Sequence, residues 1–344
     1  MPRPRPLVIG HRGAPGYRPE HSRSSYALAL ELGVDAVEPD VVVSRDGVLI
    51  VRHENEIGGT TDVADRPEYA ARRTTKSVDG ERLTGWFAED FTAEELTGLR
   101  CRERLPALRP ASASFDDTQP VLTLRDVLDL VRAASEDQGR EIGVVLEVKH
   151  ATYMSALGWD LAELIAGELQ AAGWAEGRLP LIVESFEPTA LAQLRATGIR
   201  ARYVLLFEAT GSPFDLVVAS GRAAPTYRDL SSSAGLEGLR GEVDGISVDK
   251  RMILDPDRRD RPPGAPTLVA DARSRGLTVF TWTARPENAF LARRHRGPGG
   301  KAAWGDYEAE WRELVDAGVD GVFVDHPDLG VSALRDDGAQ RPLH

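Results

Sequence analysis

The sequence predicts an α/β chain folded as a (β/α)8 TIM barrel. Three observations predict it: eight short apolar runs, amphipathic helical stretches between them, and glycines where those stretches stop. The runs are residues 7–10, 36–41, 143–148, 181–184, 202–206, 245–248, 278–281 and 321–324. They are rich in Val and Ile, and several are continuous rather than alternating, the pattern of strands buried on both faces of a parallel sheet. The helical stretches include 24–32, 124–134, 159–172, 188–196, 267–275 and 308–317. Gly33, Gly173, Gly198, Gly276 and Gly318 close helical stretches, in the left-handed position that glycine fills at least cost. An open doubly wound sheet is the alternative arrangement of the same alternation.

A chain of 344 residues suits one such barrel with an insertion, since these barrels run from about 200 to over 400 residues. Residues 55–120 hold few helix–strand alternations and many turn formers. They read as an insertion after the second strand, within one domain whose barrel comprises 1–54 and 121–344. Residues 255–266 and 297–300 read as loops rich in Pro, Gly and charge.

A hydrophobic content of 42% and a charged content of 28% describe a globular chain able to bury its own core. The net charge of −12 excludes a surface that tracks a nucleic-acid backbone, which needs a basic stripe. A small anionic substrate remains open, because a local cluster or a metal can hold it. Cys101 is the only cysteine, so there is no internal disulfide and no Cys-based zinc site. The first apolar run is shorter than a signal-peptide core, and no segment approaches the roughly 18 apolar residues of a membrane span. The expectation is no stable membrane insertion and a cytoplasmic location by default, a secreted or periplasmic one following if a signal was removed.

Four segments carry candidate chemistry. In GHRGAPGYRPEHS, residues 10–22, His11 and Arg12 stand where the first strand runs out. Loops after strands form the active face of a barrel. Arg12 can fork onto phosphate or carboxylate oxygens, and Gly13 lets backbone approach a ligand. In Glu38-Pro39-Asp40 the two carboxylates are two residues apart and project together. Such a pair at the end of an apolar strand needs partners or a cation, and hard oxygen ligands suit Ca²⁺ or Mg²⁺ rather than zinc. LIVRHE, residues 49–54, returns His53 toward that pair after the turn Ser44-Arg45-Asp46-Gly47. In VVLEVKH, residues 144–150, Glu147 offers a third oxygen ligand and Lys149 a positive charge. Weaker pointers are Glu184-Ser185-Phe186, Asp325-His326-Pro327 and Trp282, the last an apolar wall for the organic part of a substrate.

Together, HRG…PEHS, GVDAVEPDVVVSRDGVLIVRHE, LEVK, ESF and VDGVFVDHPD resemble the glycerophosphodiester phosphodiesterase family, in order and over nearly the whole chain. The inserted segment resembles that of the longer, calcium-type members. The resemblance implies a metal-dependent hydrolase that converts a glycerophosphodiester, such as glycerophosphocholine or glycerophosphoethanolamine, into glycerol 3-phosphate and an alcohol. It implies one divalent cation, Ca²⁺ favoured and Mg²⁺ the alternative, held by Glu38, Asp40 and Glu147. His11 and His53 become the acid–base pair, Arg12 a phosphate contact, and Lys149 a neighbour of phosphate and carboxylates. The substrate's own glycerol hydroxyl is expected to attack first, giving a cyclic phosphate. The chain departs from the family at His21 for Asn, Glu54 for Asp and Glu184 for Gln. Two other readings share these residues: a lysophospholipase D or sphingomyelinase D-like lipid phosphodiesterase, and a non-catalytic barrel that binds phosphodiesters.

Overall fold

A computed structural model describes residues 5–254 and 267–335. Its strands are β1 (Leu7–His11), β2 (Ala36–Glu38), β3 (Asp40–Val43), β4 (Leu49–Val51), β5 (Thr74–Val78), β6 (Glu81–Gly85), β7 (Gly143–Val148), β8 (Leu181–Ser185), β9 (Arg202–Phe207), β10 (Gly245–Asp249), β11 (Thr278–Ala284) and β12 (Gly321–Val324). β2 and β3 form one barrel strand broken at Pro39, which has no N–H to give to a ladder. The break is bridged from the neighbour, because the Glu147 amide donates to the Pro39 carbonyl at 2.9 Å. With that strand counted once, eight parallel strands close a barrel through the β2–β7 and β3–β7 pairings. The open doubly wound alternative is thereby excluded.

The continuity of the apolar runs has a direct cause. On each strand one parity faces inward, and Ile9, Ala36, Val145, Ile182, Val204, Phe280 and Phe323 fill the barrel interior. The other parity, with Val8, Val37, Val144, Val183 and Val322, packs against the surrounding helices. Both faces are dry, so both parities are apolar. The helices include Arg23–Glu31, Leu124–Gln138, Leu161–Ala171, Pro188–Ala196, Leu268–Ser274 and Tyr307–Ala317. Leu124–Gln138 outruns the expected stretch by four residues, starting from a Thr123–Asp126 capping box and stopping at left-handed Gly139. The five glycines expected to close helices all have positive φ.

β4 runs back antiparallel on β3 and delivers the chain to His53. Residues 55–120 then hold the β5–β6 hairpin, several 3₁₀ turns and the short helices Ala93–Thr97 and Pro110–Ala113. Ile57, Val63, Phe91, Leu96, Leu99 and Cys101 pack into the same core as the barrel helices. The expected loop at 255–266 lies outside the described residues. Among the described residues, no helix is long and apolar enough to cross a membrane.

Candidate active site

The inward parity that fills the barrel with apolar side chains ends in larger, mostly polar ones a step further along six of the strands. Two residues beyond Ile9 stands His11; beyond Ala36, Glu38; beyond Val145, Glu147; beyond Ile182, Glu184; beyond Phe280, Trp282; and beyond Phe323, Asp325. Strand register sets them side by side, pairing His11 with Glu38, Asp40 with Glu147, and Glu147 with Glu184. A charged layer therefore sits on the apolar plug at the C-terminal ends of the strands. It floors a cavity of about 550 Å³ lined by His11, Arg12, Glu38, His53, Glu147, Lys149, Glu184 and Trp282 among others.

Carboxylate oxygens of Glu38, Glu147 and Glu184 lie within 4.8 Å of one another, and all three residues are buried. Burial, with Asp40 and Glu147 nearby, raises the Glu38 carboxyl well above its ordinary range. Burial and Glu147 do the same to Glu184. Burial pushes Glu147 up to about 8, against the pull of Lys149. Three buried carboxyls that resist ionisation are costly without a cation between them. Glu38 Oε1, Asp40 Oδ1 and Glu184 Oε2 are buried without a hydrogen-bond partner, so the donor set fits a hard divalent ion.

Asp40 sits in the same row but is differently engaged. Its Oδ2 accepts from His21 Nε2 at 2.8 Å and lies 3.4 Å from Arg12 Nε. Burial alone would raise its carboxyl, but His53, Lys149, His21 and Arg12 hold it well below the usual range. Of the ligand set Glu38, Asp40 and Glu147, the first and last thus converge with Glu184, while Asp40 offers only Oδ1. Glu184, in the sequence a weaker pointer and a departure from the family pattern, belongs to this converging group.

His11 Nδ1 lies 2.7 Å from Asp325 Oδ1. The carboxylate can only accept, so Nδ1 carries the proton and Nε2 is left as a base. Burial and then Arg12 lower the His11 pKa to about 4, against the pull of Asp325. His53 Nδ1 lies 2.6 Å from Glu54 Oε1, and its Nε2 lies 3.1 Å from Lys149 Nζ. The Lys149 ammonium is held protonated by Glu147 and Asp40, so it donates to Nε2. Burial, Arg12 and Lys149 keep His53 neutral. Beyond Glu54 a run of charged contacts continues: Glu54 Oε2 is 3.6 Å from His150 Nε2, an ion-pair distance, and His150 Nδ1 is 2.6 Å from Asp79 Oδ2 in the β5–β6 turn.

Arg12 donates from Nη1 to Glu20 at 2.9 Å, and its amide donates to Glu38 Oε2 at 2.8 Å. Lys149 donates to Glu147 at 2.8 Å, with its Nζ 5.6 Å from the centroid of the Phe186 ring. Trp282 is half-buried at the cavity wall, edge to face with Phe186 at 5.9 Å. A Cβ at Gly13 would meet Ser25 Oγ at 2.6 Å, so the following helix needs the space.

Several site residues carried no signal of their own in the sequence. Arg109, from the 55–120 segment, bonds Glu287 at 2.7 Å and Asp325 at 2.6 Å. Arg104, from the same segment, bonds Glu20 at 2.6 Å, and Arg285 bonds Asp325 at 2.6 Å. Glu208 follows β9 at the cavity wall. Counting inward parity past the apolar layer would have found Glu208, as the pointer at Asp325 was found; Arg104 and Arg109 reach the site through irregular backbone that no periodicity describes.

A profile of the glycerophosphoryl diester phosphodiesterase family matches residues 11–329. The chain belongs to that family. A glycerophosphodiester phosphodiesterase of Arabidopsis thaliana is 30% identical over 333 residues, covering 93% of this chain and 84% of that protein. One from Haemophilus influenzae is 26% identical over 351 residues, covering 96% and 90%. The same fold is seen in the phosphodiesterase of Oleispira antarctica solved with the product sn-glycerol-3-phosphate, with a TM-score of 0.63, 20% identity, and coverage of 96% of this chain and 98% of that one. The likeness to a glycerophosphoryl diester phosphodiesterase from Silicibacter pomeroyi has a TM-score of 0.65 at 23% identity, covering 98% and 95%.

Proposed function

We propose that the chain hydrolyses glycerophosphodiesters, such as glycerophosphocholine or glycerophosphoethanolamine, to glycerol 3-phosphate and an alcohol in a divalent-cation-dependent reaction. One observation carries the reading: two neutral histidines stand beside a cluster of buried carboxylates whose oxygens lack partners. Glu38, Glu147 and Glu184 would hold the cation, with Asp40 Oδ1 as a further oxygen. So many carboxylate oxygens favour Ca²⁺, which takes 6–8 of them, over Mg²⁺, which keeps several waters. When bound, the ion withdraws charge from the phosphodiester and orients it.

The remaining steps belong to the chain's own groups. His11, its Nδ1 tied to Asp325, presents Nε2 to take a proton from the attacking hydroxyl. That hydroxyl is proposed to be the substrate's own glycerol hydroxyl, with water opening the resulting cyclic phosphate. His53 enters the step as the imidazolium: the anionic phosphodiester offsets the Arg12 and Lys149 charges that add to burial in keeping it neutral in the free protein. Its Nε2–H protonates the departing alcohol, and it recovers a proton from the water that opens the cyclic phosphate. Arg12 and Lys149 supply fixed positive charge to the transferring phosphoryl group, and Trp282 packs on the organic part.

The test is release of glycerol 3-phosphate from glycerophosphocholine with Ca²⁺ present. A chelator should abolish it; full turnover in excess chelator would remove the cation from the reaction. His11→Ala and His53→Ala should each lower kcat by roughly 10²–10⁴, and a near-normal rate excludes the residue concerned.

A further inference from the structure

A second cavity, of about 370 Å³, adjoins the catalytic one and shares Glu147, Lys149, Phe186 and Glu208 with it. We propose that it is the subsite for the departing alcohol, and that it selects alcohols carrying a primary or quaternary ammonium group, with Glu208 as the counter-charge. The inference rests on the reaction proposed above.

The position follows from His53. Its Nε2 faces Lys149, which lines both cavities, so an alcohol protonated at Nε2 leaves past Lys149 toward the second one. The chemistry of the walls gives the charge. Glu54, Asp79, Glu81, Glu187 and Glu208 line the cavity, whose cationic side chains Lys149 and His150 are already bonded to carboxylates. Glu54 and Asp79 are taken up by histidines, and Glu187 by the Thr152 amide and hydroxyl. Glu208 differs. Like the exposed Glu81 it has no hydrogen bond or ion pair among the described residues, but of the two only Glu208 is half-buried and lines both cavities. The nearby Arg251 is held by Asp249.

Aromatic groups complete the subsite. Phe186, at the junction, has Tyr227 edge-on at 6.2 Å and Trp282 edge-on at 5.9 Å. A cation against aromatic faces with an unpaired carboxylate beside it gains both ring and charge attraction. A neutral head group gains only contact, and an anionic one meets the surrounding carboxylates.

The experiment compares kcat/KM for glycerophosphocholine and glycerophosphoglycerol with Ca²⁺ bound. The choline ester should be preferred by about ten-fold or more, and Glu208→Gln should erase most of that preference. Equal kcat/KM in the unaltered protein, or a preference untouched by Glu208→Gln, overturns the subsite. A second measurement needs no variant. Choline should inhibit glycerophosphoglycerol hydrolysis at least about ten-fold more strongly than its uncharged isostere, in which tert-butyl replaces trimethylammonium. Equal inhibition by the two also overturns the proposal. Hydrolysis of neither ester would be a different failure, overturning the reaction itself and the subsite with it.

Discussion

Asp325 at the end of β12 holds His11 at the end of β1 through a 2.7 Å contact that spans 314 positions of sequence. The same carboxylate accepts from Arg109 and Arg285, and burial alone would raise it, but these cations keep it ionised. Asp325→Asn keeps the shape but no longer enforces the Nδ1–H tautomer of His11. The expected result is a fall in kcat of roughly 10²–10⁴ with a smaller change in KM. Steady-state kinetics on glycerophosphocholine checks it, and an unchanged kcat would release Asp325 from any orienting role.

The acidic row predicts a pH dependence of stability in metal-free protein. Glu38 and Glu184 titrate well above their ordinary value when folded, and Glu147 near 8. The folded chain therefore keeps protons that the unfolded chain has already released. By linkage, stability should fall as pH rises from about 4.5 through about 8. Ca²⁺ should flatten this slope, because it binds the ionised form and displaces the protons. Melting curves across that range, with and without Ca²⁺, decide it; parallel slopes would mean that no ion enters the row.

His150 contributes with its own signature. Burial would lower its pKa, but Asp79 and Glu54 raise it to about 9. Its stabilisation is present in full below the unfolded value near 6.5 and is lost as pH rises through about 9. Asp79→Asn removes the nearer partner. The melting-temperature gap between unaltered and Asp79→Asn protein should narrow across pH 6.5–9, with a gap of constant width counting against the pairing.

Arg109 joins the 55–120 segment to the barrel through two buried carboxylates, Glu287 and Asp325. Arg109→Ala leaves buried Glu287 without its cation and Asp325 with only Arg285 and His11, at a cost of about 3–5 kcal/mol. Arg109→Lys should recover only part, since one ammonium cannot span two acceptors as a fork does. Urea denaturation gives the answer; a loss under about 1 kcal/mol would show that the two carboxylates find other partners.

The barrel was legible because each strand is buried on two faces, so burial wrote an unbroken apolar run at 143–148 and at 321–324, where the expected bounds match β7 and β12. Glu38, Asp40, Glu147 and Lys149 were legible for the opposite reason, as charges interrupting such runs at one end. The break at Pro39 stood in the sequence but was read through as one continuous strand. What could not be read depends on distance. Asp325 orients His11 only after the first and last strands pair, and Arg109 reaches it only after an irregular segment folds back across the barrel mouth. His21, a departure from the family pattern, proves to be fully buried between Tyr26 and Asp40, which strand and helix periodicity do not encode.

The pairing of β1 with β12 also sets a timetable. Synthesis releases His11 well before the carboxylate that fixes its proton, which arrives 314 residues later. Until residues 321–325 emerge, the first strand has a free edge and the imidazole has no fixed tautomer. Closing the barrel and arming the base are then a single event, so a nascent or truncated polypeptide can carry every other site residue and still be silent.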